Sequence, residues 1–396
     1  MILADDKANA AQPIIAAALE LIAEKGLSEL TLRPLAEKVG MSLNALTQTM
    51  GTKEQLLAQV MVSAMERDNQ FRAEWLHRVK GMAPIGPSMR ALLAETILDD
   101  WVVGQRPLAC LLIDMVQEAG RQHDCPEILD AWLDQVAGFW AEILFDDPRQ
   151  ADASLGYILD EAGFSLFAHA NPAYRMVRAL CLHRFTGGIY PQPDEDVGRG
   201  RDLEQWIAAL EPAQTYPDTP DRSKRGAIAS AAGRLIVTQG LEALTHRSAA
   251  SAAGTPASTV VYHFGTRDEL MVAALHAVVT NFRHNLAENF GQPQPFHANY
   301  DFSQDLVRAT SIIAIAAARH PGLTHHALDM RRRRGENIVT TVLWEMGLPK
   351  GRTADRCTSQ VASIALFGMR MVAMARGRDE HKVLLAAFSR LAEVCR

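Results

Sequence analysis

Two short segments place a cation at the start of a helix, where it could bind an anion. Residues 52–55 (TKEQ) and 266–269 (TRDE) each carry a threonine three positions before Gln or Glu, which is the spacing of a helix capping box. The free backbone N–H groups of a helix N-terminus favour anions. Lys53 and Arg267 lie immediately inside the two boxes, and we predict that each contacts a phosphate group.

Enzymatic chemistry finds little support in the sequence. The chain has no phosphate-binding glycine loop, no Gly-x-Ser-x-Gly and no Cys-x-x-Cys. The histidines near 320–326, with Asp329, do not predict a metal site, because the adjacent His325 and His326 point to different sides of a helix. We therefore expect no enzyme activity, no catalytic residue, no cofactor and no metal.

The five cysteines indicate a cellular compartment. They are odd in number and scattered through helical segments, which is typical of a reducing cytoplasm. The first residues lack the apolar region of a signal peptide, and no run of 18 apolar residues predicts a membrane span. The expected localisation is cytoplasmic.

The two capping segments belong to an internal repeat. Residues 14–56 and 228–270 align without a gap at an offset of 214, with 15 identities in 43 positions. A period above 200 residues is too long for a solenoid repeat. The chain is predicted to contain two whole domains in tandem.

Each copy has the pattern of a helix-turn-helix. Apolar residues recur at helical spacing until Gly26 or Gly240, which predicts a first helix ending near Lys25 in the first copy. Thr31 and Thr245 suit the N-cap of a second helix, which ends at a glycine before a third helix of about two turns. This arrangement places one helix in the DNA major groove.

These residues resemble the TetR family of bacterial transcriptional regulators. The second copy follows the family pattern at 245–250 (THRSAA), 254–256 (GTP) and 263–270 (HFGTRDEL), with Val261 at the usual tyrosine position and Tyr262 one place on. The first copy departs further, with threonine at the tyrosine and histidine positions and Met50 at the phenylalanine position. We expect Met50 to fill the same core site, because methionine is apolar and adaptable.

The resemblance and the helical periodicity together predict the fold. The chain should be all-α, with two TetR-like units, each a three-helix helix-turn-helix DNA-binding head followed by a helical ligand-binding and dimerisation body. In this family the last two body helices pack against a partner's equivalent pair. Here these would be 153–170 with 172–185, and 354–375 with 380–394. Because both pairs lie in one chain, we expect an intramolecular pseudo-dimer, with further homodimerisation as an open alternative.

The 396 residues divide into five segments on this basis. The linker is rich in proline and glycine, apart from a short helical stretch near 203–210. The segments are 8–60 (first head), 61–190 (first body, candidate ligand-binding), 191–221 (linker), 222–275 (second head) and 276–396 (second body). The predicted helices after the heads are about 53–80, 87–104, 107–120, 126–146, 152–170, 172–187, 267–290, 302–319, 327–346, 354–376 and 380–395.

The two third helices differ at nearly every exposed position, which predicts two different half-sites in the DNA. Asn44 and Gln48 suit adenine edges, whereas Thr259 and Val261 suit thymine methyl groups. The residues predicted to contact DNA are Thr31, Arg33, Ser42, Leu43, Asn44, Thr47, Gln48 and Lys53 in the first head, and Thr245, Arg247, Pro256, Ala257, Ser258, Thr259, Val261, Tyr262, His263 and Arg267 in the second.

The charge distribution fits local docking on DNA. The net charge is −6, but residues 7–60 are balanced and residues 221–275 carry six cations against four anions. A few phosphate contacts, rather than general coating of nucleic acid, follow from this pattern. A second basic run, 331–334, spreads around a helical turn and is interpreted as a solvated face.

The resemblance also implies a small-molecule effector in the helical bodies. The first body carries more aromatic residues than the second, and the second is shorter. We therefore predict one sensing repeat, with an aromatic-lined pocket in the first body. The candidate pocket residues are Trp101, Phe139, Trp140, Phe164 and Phe167.

The preferred function is a ligand-responsive transcriptional repressor that reads an asymmetric or pseudo-palindromic operator in double-stranded DNA with two non-identical heads. Two alternatives stay open. One is an effector-binding or protein-interaction module with a degenerate first head. The other is a dimer of chains in which only the second heads bind DNA.

Overall fold

The computed structural model describes residues 2–82, 84–188, 203–210, 219–289, 300–335, 355–380, 382–383, 385–386 and 389. These residues form α-helices joined by short turns, and no β-strand occurs among them. The all-α prediction is confirmed for this part of the chain.

The first unit consists of nine helices among the described residues. They are α1 (Ile2–Lys25), α2 (Leu32–Val39), α3 (Leu43–Met50), α4 (Lys53–Val79), α5 (Pro87–Asp99), α6 (Arg106–Gln122), α7 (Glu127–Leu144), α8 (Ala151–Ala168) and α9 (Pro172–Gly187). A π-helical turn, Asp100–Gly104, joins α5 to α6. In the predicted linker, residues 203–208 are helical, as expected, and Leu203 and Ile207 are buried. Residues 191–202 and 211–218 lie outside the described residues.

The second unit follows the same order. Its helices are α10 (Lys224–Gln239), α11 (His246–Ala252), α12 (Ala257–His263), α13 (Arg267–Asn289), α14 (Tyr300–Ala317), α15 (Thr324–Arg332) and α16 (Arg356–Ala375). The predicted continuous helix 327–346 is wrong, because α15 ends at Arg332 and Gly335 has a φ of 79°. Residues 336–354 and most of the predicted helix 380–395 lie outside the described residues.

One hydrophobic core extends across both units. It includes Leu155 and Ile158 of α8 together with Val361 and Ile364 of α16, all buried. Each such side chain contributes about 1.5–3 kcal/mol when it is fully buried. A second, smaller core, which includes Ile236 and Phe264, lies in the second head and continues into α14. The helices of the second body therefore pack on the first body as well as on the second head.

Helices α8 and α16 make the closest crossing between the units. Gly156 and Gly368 lie at the contact, and a Cβ atom on Gly368 would overlap the Gly156 carbonyl oxygen. A Cβ atom on Gly156 would lie 2.6 Å from the Met369 nitrogen. Only glycine at both positions lets the two backbones approach this closely.

The composition of α16 reflects its burial. Among the described helices it alone is long and apolar enough to cross a membrane, which the sequence reasoning did not anticipate. Within the protein, 94% of the most apolar 18-residue stretch of α16 is buried, and the helix packs against α6, α8 and α9. The apolar composition is accounted for by these contacts in the core.

The basic run 331–334 is not a solvated face, contrary to the interpretation of the sequence. Arg331 is fully buried and pairs with Glu161 of α8 (3.0 Å), and Arg334 pairs with Asp160 (2.8 Å). Helical spacing could not reveal this, because the carboxylates come from the other unit, 170 and 174 residues away in sequence. The run is part of the contact between units.

Candidate nucleic-acid interface

In the first head, one side of α3 packs on the core and the other is free. Gly40, with a left-handed φ of 68°, ends α2, and the Ser42 hydroxyl caps α3 by accepting a hydrogen bond from the Ala45 N–H (3.2 Å). Leu46 and Met50 are buried, so the prediction for Met50 is confirmed. The exposed side chains are those of Ser42, Leu43, Asn44, Thr47 and Gln48.

The second head repeats this arrangement with different side chains. Val260 of α12 and Phe264, its C-cap residue, are buried. They take the positions that Leu46 and Met50 take in the first head. Tyr262 is 85% exposed and Val261 51% exposed. Pro256, Ala257 and Ser258 are also exposed, whereas Thr259 and His263 are half-buried. Each head thus presents one short helix with a free face that could enter a DNA groove.

The threonines before the second helices behave differently. Thr245 accepts a hydrogen bond from the Ser248 N–H (3.0 Å), and the Ser248 hydroxyl accepts one from the Thr245 N–H (2.8 Å). Thr31 occupies the same N-cap position without a side-chain hydrogen bond to its helix. The predicted capping role is therefore confirmed for Thr245 and is wrong for Thr31, whose hydroxyl makes no capping hydrogen bond.

The capping box before α4 is confirmed, and the one before α13 is half formed. Thr52 and Gln55 make both reciprocal hydrogen bonds, at 2.9 and 3.3 Å. In the second head the Thr266 hydroxyl accepts from the Glu269 N–H (3.1 Å), but the Glu269 carboxylate accepts from the Gly265 N–H (2.8 Å). The Glu269 carboxylate therefore accepts from the Gly265 N–H instead of the Thr266 N–H that a full capping box would use.

The two cations inside the boxes have different surroundings. The Arg267 guanidinium donates to the carbonyls of Leu244 (2.9 Å) and Leu241 (3.0 Å), so it also holds the turn before α11. Lys53 is half-buried, and no carboxylate among the described residues is within ion-pair distance of it. In the second helices, Arg33 is exposed with a loose pair to Glu37 (3.5 Å), and Arg247 is exposed. Such an exposed pair costs little to break when phosphate is available.

The aromatic residues of the predicted ligand pocket lie in the body of the first unit. Trp101 is buried and its indole N–H donates to Asp68 (3.1 Å), a carboxylate that the sequence reasoning missed. Phe139 packs edge-on against Trp140, and Phe164 lies under the Arg334 guanidinium. Phe167 is half-buried between the two cores.

Asp68 also accepts a hydrogen bond from the Trp132 indole (2.6 Å) and pairs with Arg72. Burial lowers the pKa of Arg72 to about 10. No periodicity could single out these residues, because their partners come from three helices.

A cavity among the described residues lies away from these aromatic side chains, between the two heads. It has a volume of about 570 Å³, and both Lys53 and Arg267 line it. None of the five aromatic residues of the predicted pocket does. Among the described residues, no group of three or more His, Cys, Asp or Glu side chains could hold a metal ion.

One ion pair ties the first head to both bodies. Asp114 of α6 accepts from the Leu27 N–H (3.0 Å) and pairs with Arg319, which follows α14 (2.8 Å). Arg319 also donates to the Ile22 carbonyl (3.1 Å) at the end of α1. Burial raises the pKa of Asp114, and the Arg319 charge opposes that shift. The position of the first head therefore depends on a residue of the second unit.

Residues 14–60 and 228–274 each match the family model described as bacterial regulatory proteins, tetR family. The two ranges contain the helix-turn-helix segments and the starts of α4 and α13. No curated protein matches the chain. The chain therefore carries two DNA-binding heads of the tetR family, at residues 14–60 and 228–274, one in each of two tandem helical units.

Proposed function

We propose that the protein is a ligand-responsive repressor in which the two units form an intramolecular pseudo-dimer that reads an asymmetric or pseudo-palindromic operator. The observation that carries this proposal is that two helix-turn-helix heads with different exposed residues belong to units that share one core. An ordinary dimer reads palindromes because its two heads are identical. Two different heads in fixed association are released from that restriction.

The ion pairs between the units favour pairing of a first unit with a second. In four of them the second unit supplies the arginine and the first the carboxylate: Arg319–Asp114, Arg331–Glu161, Arg334–Asp160 and Arg376–Asp134. Two others, Arg184–Asp355 and Arg121–Glu242, run the other way. Each of these pairs needs an arginine from one unit and a carboxylate from the other, so together they favour association of unlike units.

The exposed side chains of α3 and α12 support different half-sites. Asn44 and Gln48 carry amides that can pair with adenine edges, and α12 offers Ser258 and Tyr262 at the corresponding positions. The phosphate contacts would come from Lys53, Arg33 and Arg247, with Arg267 placed to contribute at the start of α13. The protein is proposed to act in the cytoplasm, on double-stranded DNA.

The decisive experiment is selection of bound duplexes from a random library with wild type and two matched variants. Asn44→Ala/Gln48→Ala changes only α3, and Ser258→Ala/Tyr262→Ala changes only α12. All four side chains are exposed in the wild type. We expect wild type to enrich a two-part site, and each variant to lose sequence information in one half only. Each lost base contact should cost about 1–3 kcal/mol.

Other outcomes support the alternatives. A palindromic site that only Ser258→Ala/Tyr262→Ala weakens would indicate a dimer of chains that uses its second heads. No enriched site would leave an effector-binding or protein-interaction module as the better account. Repression itself is tested by placing the selected duplex across a promoter and measuring transcription with and without the protein.

A further inference from the structure

The cavity between the two heads has the composition of a small-molecule site. Its volume of about 570 Å³ falls in the range of ligand pockets, roughly 300–1,000 Å³. Apolar side chains from three helices line one part of it, and they are buried. They are Val116 of α6, Val307 and Ile315 of α14, and Met371 and Met374 of α16. This part of the cavity suits an apolar group.

Arg308 is the one cation of the cavity that is half-buried in a body helix and lacks a carboxylate partner among the described residues. Its closest hydrogen bond is a long one, from Nη2 to the Gly120 carbonyl (3.5 Å), and its Nε is buried without a partner. By contrast, Arg319 pairs with Asp114 and Arg121 pairs with Glu118. A guanidinium with a buried, unpaired N–H group and no carboxylate partner favours binding of an anion, because an unpaired buried N–H group costs free energy.

We propose that this cavity binds a small amphipathic organic anion, whose anionic group pairs with Arg308 and whose apolar part contacts the methionines of α16. The site deepens the proposed function, since it rests on the ligand response of the repressor. Both units line this cavity, so we expect one molecule per chain at this site. It differs from the aromatic cluster of the first body, whose members do not line it.

An occupant of this cavity would act on both heads. The cavity is lined by Asp114 and Arg319, which hold the end of α1, and by Gly240 and Leu241, which join α10 to α11. An anion that draws the Arg319 guanidinium toward itself would weaken the hold on the first head. By reciprocity, a ligand that binds one arrangement of the heads better must lower the affinity for DNA that needs the other arrangement.

The test uses decanoate and decan-1-ol as probes, because the two share an alkyl chain and differ in charge. Isothermal titration calorimetry on the full chain should give one decanoate per chain, bound at least about tenfold more tightly than decan-1-ol. Arg308→Gln should remove this preference. Arg149→Gln, an exposed arginine that does not line the cavity, should leave it unchanged.

A second variant guards against loss of fold in Arg308→Gln. Ile312→Trp places a larger side chain in the cavity and should weaken both probes alike, with the thermal unfolding midpoint measured for each variant. No saturable decanoate binding at about 1 mM, or an undiminished preference for the anion in Arg308→Gln, would overturn the proposal.

Binding is measured on the free protein, so the two proposals fail separately. If decanoate binds as expected but no duplex is selected, the DNA reader fails and the cavity site stands. If a duplex is selected but decanoate binding fails, the site fails and the DNA reader stands. With both present, decanoate should lower the affinity for the selected duplex by about tenfold, and Arg308→Gln should reduce that effect.

Discussion

The Arg331–Glu161 pair is the most deeply buried charge contact between the units, with neither side chain exposed to solvent. Arg331 also bonds Gln360, and the Tyr174 hydroxyl donates to Glu161 (2.7 Å). The Glu161 charge raises the pKa of Arg331 against the opposing effect of burial. Removing one member of such a pair leaves the other charged, buried and unpaired.

Arg331→Met should therefore lower the free energy of unfolding by about 3–5 kcal/mol. The double variant Arg331→Met/Glu161→Gln should recover much of the loss, because no buried charge is left alone. Urea unfolding followed by circular dichroism measures both. Equal destabilisation by the single and double variants would contradict the pairing.

His326 gives the second body a dependence on pH. Burial, followed by the charges of His276 and His325, lowers the pKa of His326 from 6.5 to about 4. The unfolded chain takes up a proton below about pH 6.5, whereas the folded chain does so only near pH 4. The stability that this group contributes is therefore complete above pH 6.5 and is lost as the pH falls toward 4.

We expect wild type to lose about 1 kcal/mol more than His326→Gln between pH 7 and 5, after allowance for the partial exposure of the ring. The comparison with the variant is needed because burial raises the pKa of Asp160 to about 6, which acts in the opposite direction. Urea unfolding at the two pH values measures the difference. The same pH response in both proteins would rule out His326 as its source.

The crossing of α8 and α16 depends on two glycines rather than on large side chains. Gly368 contacts the Gly156 backbone, so any added Cβ atom must push the helices apart. The same change elsewhere in a helix has the opposite sign, because alanine favours a helix more than glycine does.

Gly368→Ala should destabilise the protein by at least about 1–3 kcal/mol, as overpacking does in a dense core. Gly138→Ala is the matched control, because Gly138 lies in α7 with no atom of another helix within 4 Å of the added Cβ. This substitution should stabilise the protein by about 0.5–1 kcal/mol. Thermal unfolding of the two variants tests this. A harmless Gly368→Ala would mean that the helices do not cross here.

The two units in one chain make an interface that does not depend on protein concentration. Linked units have an effective concentration in the millimolar range. The shared core and the ion pairs already occupy the interface of each unit within one chain, so a second chain is not expected to bind there.

Light scattering should give the mass of one chain, 43.5 kDa, at all concentrations used for DNA binding. Native mass spectrometry of the complex should give one chain per selected duplex. Two chains per duplex would contradict the single-chain reader and favour a dimer that uses two equal heads. Measuring the mass with and without duplex separates DNA-induced association from association of the free protein.

The local structure of the heads was determined by the sequence alone. Gly40 and Gly254 adopt the positive φ angles that end a helix, the Thr52 box forms, and Met50 and Phe264 fill the same core site. These features depend on interactions within a few residues or on a repeat visible in the chain. Short-range hydrogen bonds and helical periodicity can be read without knowing the fold.

Tertiary structure decided what joins the units. Arg331 and Arg334 looked like a solvated face, yet their partners lie in α8 of the other unit. Cys181 and Cys357, distant in sequence, are both buried in the core that the units share, and the Cys357 thiol lowers the pKa of Cys181. The cavity between the heads takes residues from distant segments, including Lys53, Arg121 and Arg308. No local pattern encodes such contacts, because burial and charge pairing between distant segments arise only when the two units pack together.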